Sequence, residues 1–223
     1  MWRRSATIHS YLLSAARFRH APAMCNEAAR RIELGLLRND FSELKIPLRF
    51  PEGFPNMEPL GSVRITDRTV IVRAAAEAPG EAELITRRWS WPGPGGKPVY
   101  NYRGEGREFR NGARQGRCLI PVDGFYEFTA AADPKKKRKD KWLFRWRGEQ
   151  WFSIAGLWKA DPAVGEAFTM LTCEPGPDIA PFHNRQVVLL SRDDWAGWLD
   201  GSVPARALIR PVPEGTMTVE QVG

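Results

Sequence analysis

Between Ser62 and Cys173 the chain repeats one local pattern: SVRIT, TVIVRAA, ELITRRW, GRCLIPV, GFYEFTA, KWLFRWR, WFSIAGLW and AFTMLTC. Each run is short, rich in β-branched and aromatic residues, and set apart by Asp, Pro or Gly, as the strands of a meander are. So many strands cannot all expose their edges to water, which predicts barrel-like curled antiparallel sheets. No repeat or linker interrupts the pattern, so the expected fold is a single β-rich α+β domain with a few flanking helices. With 43% hydrophobic residues in 223, the chain can bury a sizeable core. Nine Trp and eleven Phe are core material first, and only those beside polar or basic residues are candidates for stacking.

Helical periodicity is confined to the two ends. The segment NEAARRIELGLLR, Asn26 to Arg38, places Ile32, Leu36 and Leu37 at helical spacing behind an Asn that can cap, which predicts an amphipathic helix with Cys25 near its start. Two further helices are predicted late. One is a short piece near Pro177 to Phe182; the other is SRDDWAGWL, with Ser191 as N-cap and acids in the first turn.

The formal charge is +7, but residues 1–23 hold four arginines and no acid, and subtracting those four leaves +3. That uneven basic balance suggests a nucleic-acid partner without establishing one. Three cysteines, Cys25, Cys118 and Cys173, form no CxxC pair and no even set, which argues against a disulfide framework or zinc knuckle and fits a reducing, intracellular setting. One histidine outside residues 1–23 and three scattered cysteines imply no metal, and no organic cofactor is implied either. No apolar run approaches the roughly 20 residues of a membrane span. The acid-free start reads as an organelle leader or as an extension ahead of a true start at Met24.

Two biased stretches carry weaker signals. PGPGG, Pro92 to Gly96, has the glycine content of a phosphate loop, but Pro98 follows Lys97 where Ser or Thr is needed. PKKKRK, Pro134 to Lys139, has the composition of a nuclear-import signal, yet its place between two strand-like runs predicts a solvated hairpin loop able to touch phosphates.

Three polar residues stand out, each with two readings. Glu127 lies within the aromatic run GFYEFTA, facing solvent by alternation or held in a pocket where burial raises its pKa. His183, in PFHNRQVVLL, is either a satisfied structural histidine or a proton carrier. Asn101, in VYNYRGEGREF among Arg103, Glu105 and Arg107, marks either a capped turn or part of a site.

Taken in order, the MC pair, YNYRGEGREF, GRCLIPVDGFYEF and HNR before an apolar strand resemble the SRAP family (SOS response-associated peptidase, the abasic-site processing proteins). The likeness runs from Met24 to about Leu199, and RCLIPVDGFYE is its most specific part. The resemblance implies a compact β-rich domain with a positively charged groove, acting as a monomer on single-stranded DNA that contains abasic sites. It also implies a bacterial-type cytoplasmic, nucleoid-associated setting. The cysteine that becomes amino-terminal after methionine removal bonds covalently to the abasic sugar in that family, and the matching residue is Cys25. An amino-terminal cysteine places an amine and a thiol on adjacent carbons, so an aldehyde is taken first as an imine and then as a thiazolidine. An internal cysteine offers only an amide nitrogen, whose lone pair is delocalised.

On this resemblance residues 24–223 form the working domain, and residues 1–23 are an annotation artefact or a removed extension. Asn101 would orient the amine or the sugar oxygens, Glu127 would shuttle protons, and His183 would donate to the sugar hydroxyl and relay a proton. Arg103, Arg107 and Arg185 are the phosphate-contact candidates, while Trp89 and Phe128 are either candidates to stack beside the lesion or residues of the core. The chain departs from the family pattern in three places. Asn26 replaces Gly, Phe128 replaces Trp, and Gln186–Val187 replaces Met-Pro. Two other classes share these residues: a cysteine peptidase using Cys25 and His183, and a non-catalytic single-stranded DNA-binding module.

Overall fold

The computed structural model describes residues 25–133 and 135–223. Its principal strands are β1 (Glu27–Arg30), β2 (Leu60–Arg64), β3 (Arg68–Ala74), β4 (Ala82–Trp89), β5 (Gln115–Val122), β6 (Gly124–Thr129), β7 (Asp140–Trp146), β8 (Phe152–Asp161), β9 (Gly165–Cys173) and β10 (Met217–Gln221). Every strand expected from the sequence between Ser62 and Cys173 is among them.

The strands form two curved sheets. In the larger, β9, β8, β5, β3 and β4 pair antiparallel in that order, and β4 then pairs parallel with β9 through Arg88–Ala167 and Trp89–Phe168, closing a five-stranded barrel. Closure removes the exposed edges that a meander leaves open. The smaller sheet has the antiparallel order β10, β7, β6, β1, β2. Its face bearing Phe125 and Phe144 joins the barrel's inward residues, Ile71, Ile85, Ile120 and Phe168 among them, in one core. Gly156 makes that packing possible, because a Cβ there would lie 2.7 Å from Ile120 Cδ1 and 2.9 Å from both Cys118 Sγ and the Thr169 carbonyl.

A second core lies outside the barrel. There Leu37 and Phe41 of helix α1 (Leu34–Glu43) and Trp195 and Trp198 of α2 (Trp195–Asp200) cover Val70, Val72 and Leu119. The late helix expected in SRDDWAGWL is present as a 3-10 turn, Arg192–Asp194, running into α2, although the Ser191 hydroxyl bonds the Asp194 carboxylate rather than capping a backbone N–H.

Two helical expectations are corrected. The segment after Cys25 is not helical from Asn26: Glu27–Arg30 is the strand β1, paired on one side with β6 and on the other with β2, and the helix starts only at Leu34. Two ladders of backbone hydrogen bonds around a fully buried tetrapeptide outweigh the helix preference of its two alanines. Pro177 to Phe182 is a series of turns, closed by bonds such as Ile179 N–H to the Gly176 carbonyl at 3.1 Å and Phe182 N–H to the Ile179 carbonyl at 2.9 Å. Pro175, Pro177 and Pro181 withhold the donors that a regular helix needs.

PGPGG forms a 3-10 turn between the two-residue strands Trp91–Pro92 and Pro98–Val99, so it lacks the strand-to-helix setting of a phosphate loop. Lys135–Lys139 lie exposed in the loop joining β6 to β7, as expected. Among the described residues no helix is long and apolar enough to cross a membrane.

Candidate active site

The site forms where the start of β1 meets β6. Antiparallel pairing of Glu27 with Tyr126 and Ala28 with Phe125 carries Cys25 alongside the end of β6. Along β6 the residues alternate: Phe125 joins the main core with Phe144 of β7, whereas Tyr126 belongs to a small cluster on the far face with Ala29 and Leu143. Glu127 therefore shares the inward face with Phe125, and it is 0% exposed. The alternative in which Glu127 faces solvent is thereby excluded.

Glu127 Oε1 accepts the backbone N–H of Cys25 at 3.1 Å, and Oε2 is buried with no hydrogen-bond partner among the described residues. Burial raises the Glu127 carboxyl to about 8, opposed only by that one N–H. The Cys25 thiol, also 0% exposed, is raised above its ordinary value by burial and then by the negative charge of Glu127. Its sulfur lies 3.7 Å from the Glu27 carbonyl.

Asn101 reaches the same residue from another element. The short strand Asn101–Arg103 pairs parallel with β9 through Asn101–Met170, and Asn101 Nδ2 donates to the Cys25 carbonyl at 3.0 Å. The cysteine backbone is thus held at both its nitrogen and its carbonyl.

His183 is 5% exposed, in the turn that follows Phe182, whose ring packs 4.8 Å from Trp142, the cross-strand partner of Glu127. The N–H of Arg185 donates to His183 Nδ1 at 3.0 Å. The same Nδ1 lies 3.1 Å from the Arg185 carbonyl, so the backbone of Arg185 holds that side of the ring in place. Gln186, which replaces Met of the family pattern, is fully buried and accepts the Gly176 N–H through Oε1, tying the turn together in its own way.

The cationic and aromatic candidates separate into different places. Arg103 lies exposed on the Asn101 side of its strand by alternation, and Arg185 forks onto Glu105, with Nη2 2.7 Å from Oε2 and 3.1 Å from Thr172 Oγ1. Arg185 and Arg103 together hold the Glu105 carboxyl below its usual range against the opposing effect of burial, the largest contribution. Arg107 goes elsewhere, its guanidinium 5.2 Å over the Tyr102 ring, on the side of the strand opposite to Asn101. Trp89 is 0% exposed, stacked on Phe168 with its indole N–H bonded to the Tyr100 carbonyl, so no ring face is open to a base. Phe128 sits on the far face of β6, near Lys141.

Tyr100 was not singled out from the sequence. It packs on the core that holds Cys25, and its phenol is raised by burial and then by the charges of Cys25 and Glu127. An amphipathic ring directly before Asn101 was the available signal. Among the described residues no group of three or more His, Cys, Asp or Glu side chains is arranged to hold a metal ion.

A closed barrel backed by a second sheet, with a buried carboxyl against a cysteine backbone at their junction, defines a distinct class of protein. The family model for the SOS response associated peptidase (SRAP) matches residues 55–223, and the chain belongs to that family. Comparison with curated proteins gives no match. Among solved structures, the fold is similar to that of a Bordetella bronchiseptica protein, at 19% identity and TM-score 0.64, covering 89% of this chain and 100% of that one. It is similar also to a Bacteroides thetaiotaomicron protein, at 14% identity and TM-score 0.64, covering 89% of this chain and 92% of that one. A phage-related protein of Bordetella bronchiseptica matches at 18% identity and TM-score 0.61, covering 89% of this chain and 94% of that one.

Proposed function

We propose that this chain captures abasic sites in single-stranded DNA through Cys25, once that residue is amino-terminal. The observation that carries the reading is the 3.1 Å contact between the Cys25 nitrogen and a buried carboxyl whose pKa is raised to about 8. In the 223-residue chain that nitrogen is a peptide N–H. With residues 1–24 removed it becomes a primary amine facing the same acid. Those residues lie outside the described ones, and their removal is part of the proposal.

The chemistry follows from the atoms present. Glu127 takes the proton of the ammonium, and the amine adds to the sugar aldehyde to give a carbinolamine. The same carboxyl returns a proton to the departing hydroxyl, which leaves as water and yields the protonated imine. The Cys25 thiol then adds to the imine carbon, its proton passing to nitrogen, and the five-membered ring closes. His183 serves the sugar hydroxyl, and Asn101 fixes the cysteine carbonyl while the ring forms. In this reading Arg103 meets a flanking phosphate, and Arg185 does so where a phosphate displaces Glu105.

A thiol peptidase is less well served by this arrangement. Burial and the adjacent carboxylate both disfavour the thiolate that such an enzyme needs. The test is to incubate protein started at Met24 with single-stranded DNA bearing one abasic site and to resolve the products under denaturing conditions. A covalent species is expected, lost in Cys25→Ala and in protein keeping residues ahead of Cys25. Failure of the correctly processed protein to form any adduct ends the proposal.

A further inference from the structure

After Cys173 the backbone leaves β9 and then returns to it. Cys173 pairs antiparallel with Gln186 and Thr172 with Val187, so residues 174–185 form a loop closed at its base. The outer side of the loop is fixed by Asp178, whose carboxylate accepts the Gly215 N–H at 2.9 Å and the Met217 N–H at 2.8 Å, at the start of β10. Inside, backbone bonds run in series. The Gly176 carbonyl accepts the Ile179 N–H at 3.1 Å and the Ala180 N–H at 2.9 Å; the Ile179 carbonyl in turn accepts the Phe182 N–H at 2.9 Å and the His183 N–H at 3.0 Å. His183 stands at the end of that series, its ring held by the backbone of Arg185.

The series starts from a side chain. Gln186 is fully buried, and its Oε1 accepts the N–H of Gly176 across the base of the loop. Gly176 is wedged in place, since a Cβ there would lie 2.4 Å from the Val212 carbonyl oxygen. Gln186–Val187 stands where the family pattern has Met-Pro. A proline fixes its own φ and so stiffens the exit from a turn by covalent means. Val187 has no such ring, and a methionine thioether is only a weak acceptor. In this chain the amide of Gln186 supplies the restraint instead.

We propose that Gln186 is a positioning residue for His183: through the Gly176 N–H it sets where the ring stands relative to Cys25 and Glu127. The proposal rests on the role given to His183 above. Removing the acceptor leaves a buried N–H unpaired, which the loop relieves by shifting. A displacement of about 1 Å at a reacting centre is enough to slow chemistry by about a hundredfold.

The other two histidines, His9 and His20, fall within residues 1–23, so protein started at Met24 carries His183 as its sole histidine. With that ring isotope-labelled, its NMR signals report its surroundings independently of any reaction. Gln186→Met, of similar volume, is compared with the parent, with circular dichroism as a check on folding. The ring signals are expected to move, and adduct formation on abasic single-stranded DNA to slow at least about tenfold. Added to His183→Ala, the same substitution is expected to change the residual rate by less than about twofold. Should Gln186→Met misfold, Gln186→Asn, whose amide is one methylene too short to reach Gly176, is read in the same way. Unmoved ring signals in a folded variant overturn the proposal, as does an unchanged rate or an equal slowing in the His183→Ala background. A parent that forms no adduct defeats the function proposed above, and the ring signals then decide on Gln186 alone.

Discussion

The backbone nitrogen of Cys25 donates to Oε1 of Glu127 at 3.1 Å although 102 residues of chain separate them. The contact ties the beginning of β1 to β6 and sets the proton balance of the site. The Glu127 carboxyl moves from an ordinary value of 4.5 to about 8 because it is buried. Between those values the folded chain holds a proton that the unfolded chain has released, so stability falls as pH rises, by at most about 1.4 kcal/mol per pH unit. Glu127→Gln removes this contribution. Urea unfolding of the full chain at about pH 5.5 and about pH 7.5 is expected to show the parent losing stability and the variant losing clearly less. Equal slopes would mean that Glu127 is already ionised in the folded chain.

Processing should alter the same slope. In a protein beginning at Cys25 the hydrogen-bonded nitrogen is an ammonium, and an opposite charge at that distance favours the carboxylate. The pH-dependent loss of stability is therefore expected to shrink relative to the full chain. The same unfolding measurement on the two forms, with mass spectrometry to confirm their starts, checks it; a steeper loss in the processed form would contradict the ion pair.

Tyr100 joins the core to the charges of the site. Its ring packs on the core while its phenol is coupled electrostatically to Cys25 and Glu127. Tyr100→Phe keeps the packing and removes the hydroxyl. It is expected to cost about 1 kcal/mol or less in stability while changing the rate of adduct formation several-fold and shifting its pH profile. A rate profile that superimposes on the parent's would confine Tyr100 to packing.

Gly156 tests the barrel itself. A methyl group there meets Ile120, Cys118 and the Thr169 carbonyl at 2.9 Å or less, with backbone on one side that cannot yield cheaply. Gly156→Ala is expected to cost roughly 1–3 kcal/mol through overpacking, read as a lower denaturation midpoint with unchanged m-value. A neutral result would show that the inner strands move apart more easily than their pairing implies.

The strands were legible because side-chain alternation and breakers are local properties, and Ser62 to Cys173 displays both. Curling into a barrel was legible too, but the pair that closes it was not, since the parallel contact of Trp89 with Phe168 joins residues distant in sequence. The start of β1 was misread for the same reason: Glu27–Arg30 is a strand only because β2 and β6 lie on either side of it. Cys25, Asn101 and Glu127 are named by the motif resemblance rather than by residue type alone, and they do come together. Trp89, by contrast, looked available for stacking because an aromatic beside arginines reads alike at a surface and in a core. The structure closes both of its faces. Arg107 was recognisable as a cation, but which side of the Asn101–Arg103 strand it would join depended on packing.

Asn101 separates positioning from simple stability. Its Nδ2 holds the Cys25 carbonyl at 3.0 Å, so it restrains the cysteine backbone. Losing one such hydrogen bond costs about 1 kcal/mol of folding free energy. Losing orientation at a reacting centre costs much more in rate, because displacements of about 1 Å reach effects of about a hundredfold. Asn101→Ala in the processed protein is therefore expected to melt close to the parent while forming adducts at least about tenfold more slowly. Calorimetric melting and single-turnover rates measured on the same preparation decide the matter. A drop in rate no larger than the loss of folded protein would reduce Asn101 to a brace between strands.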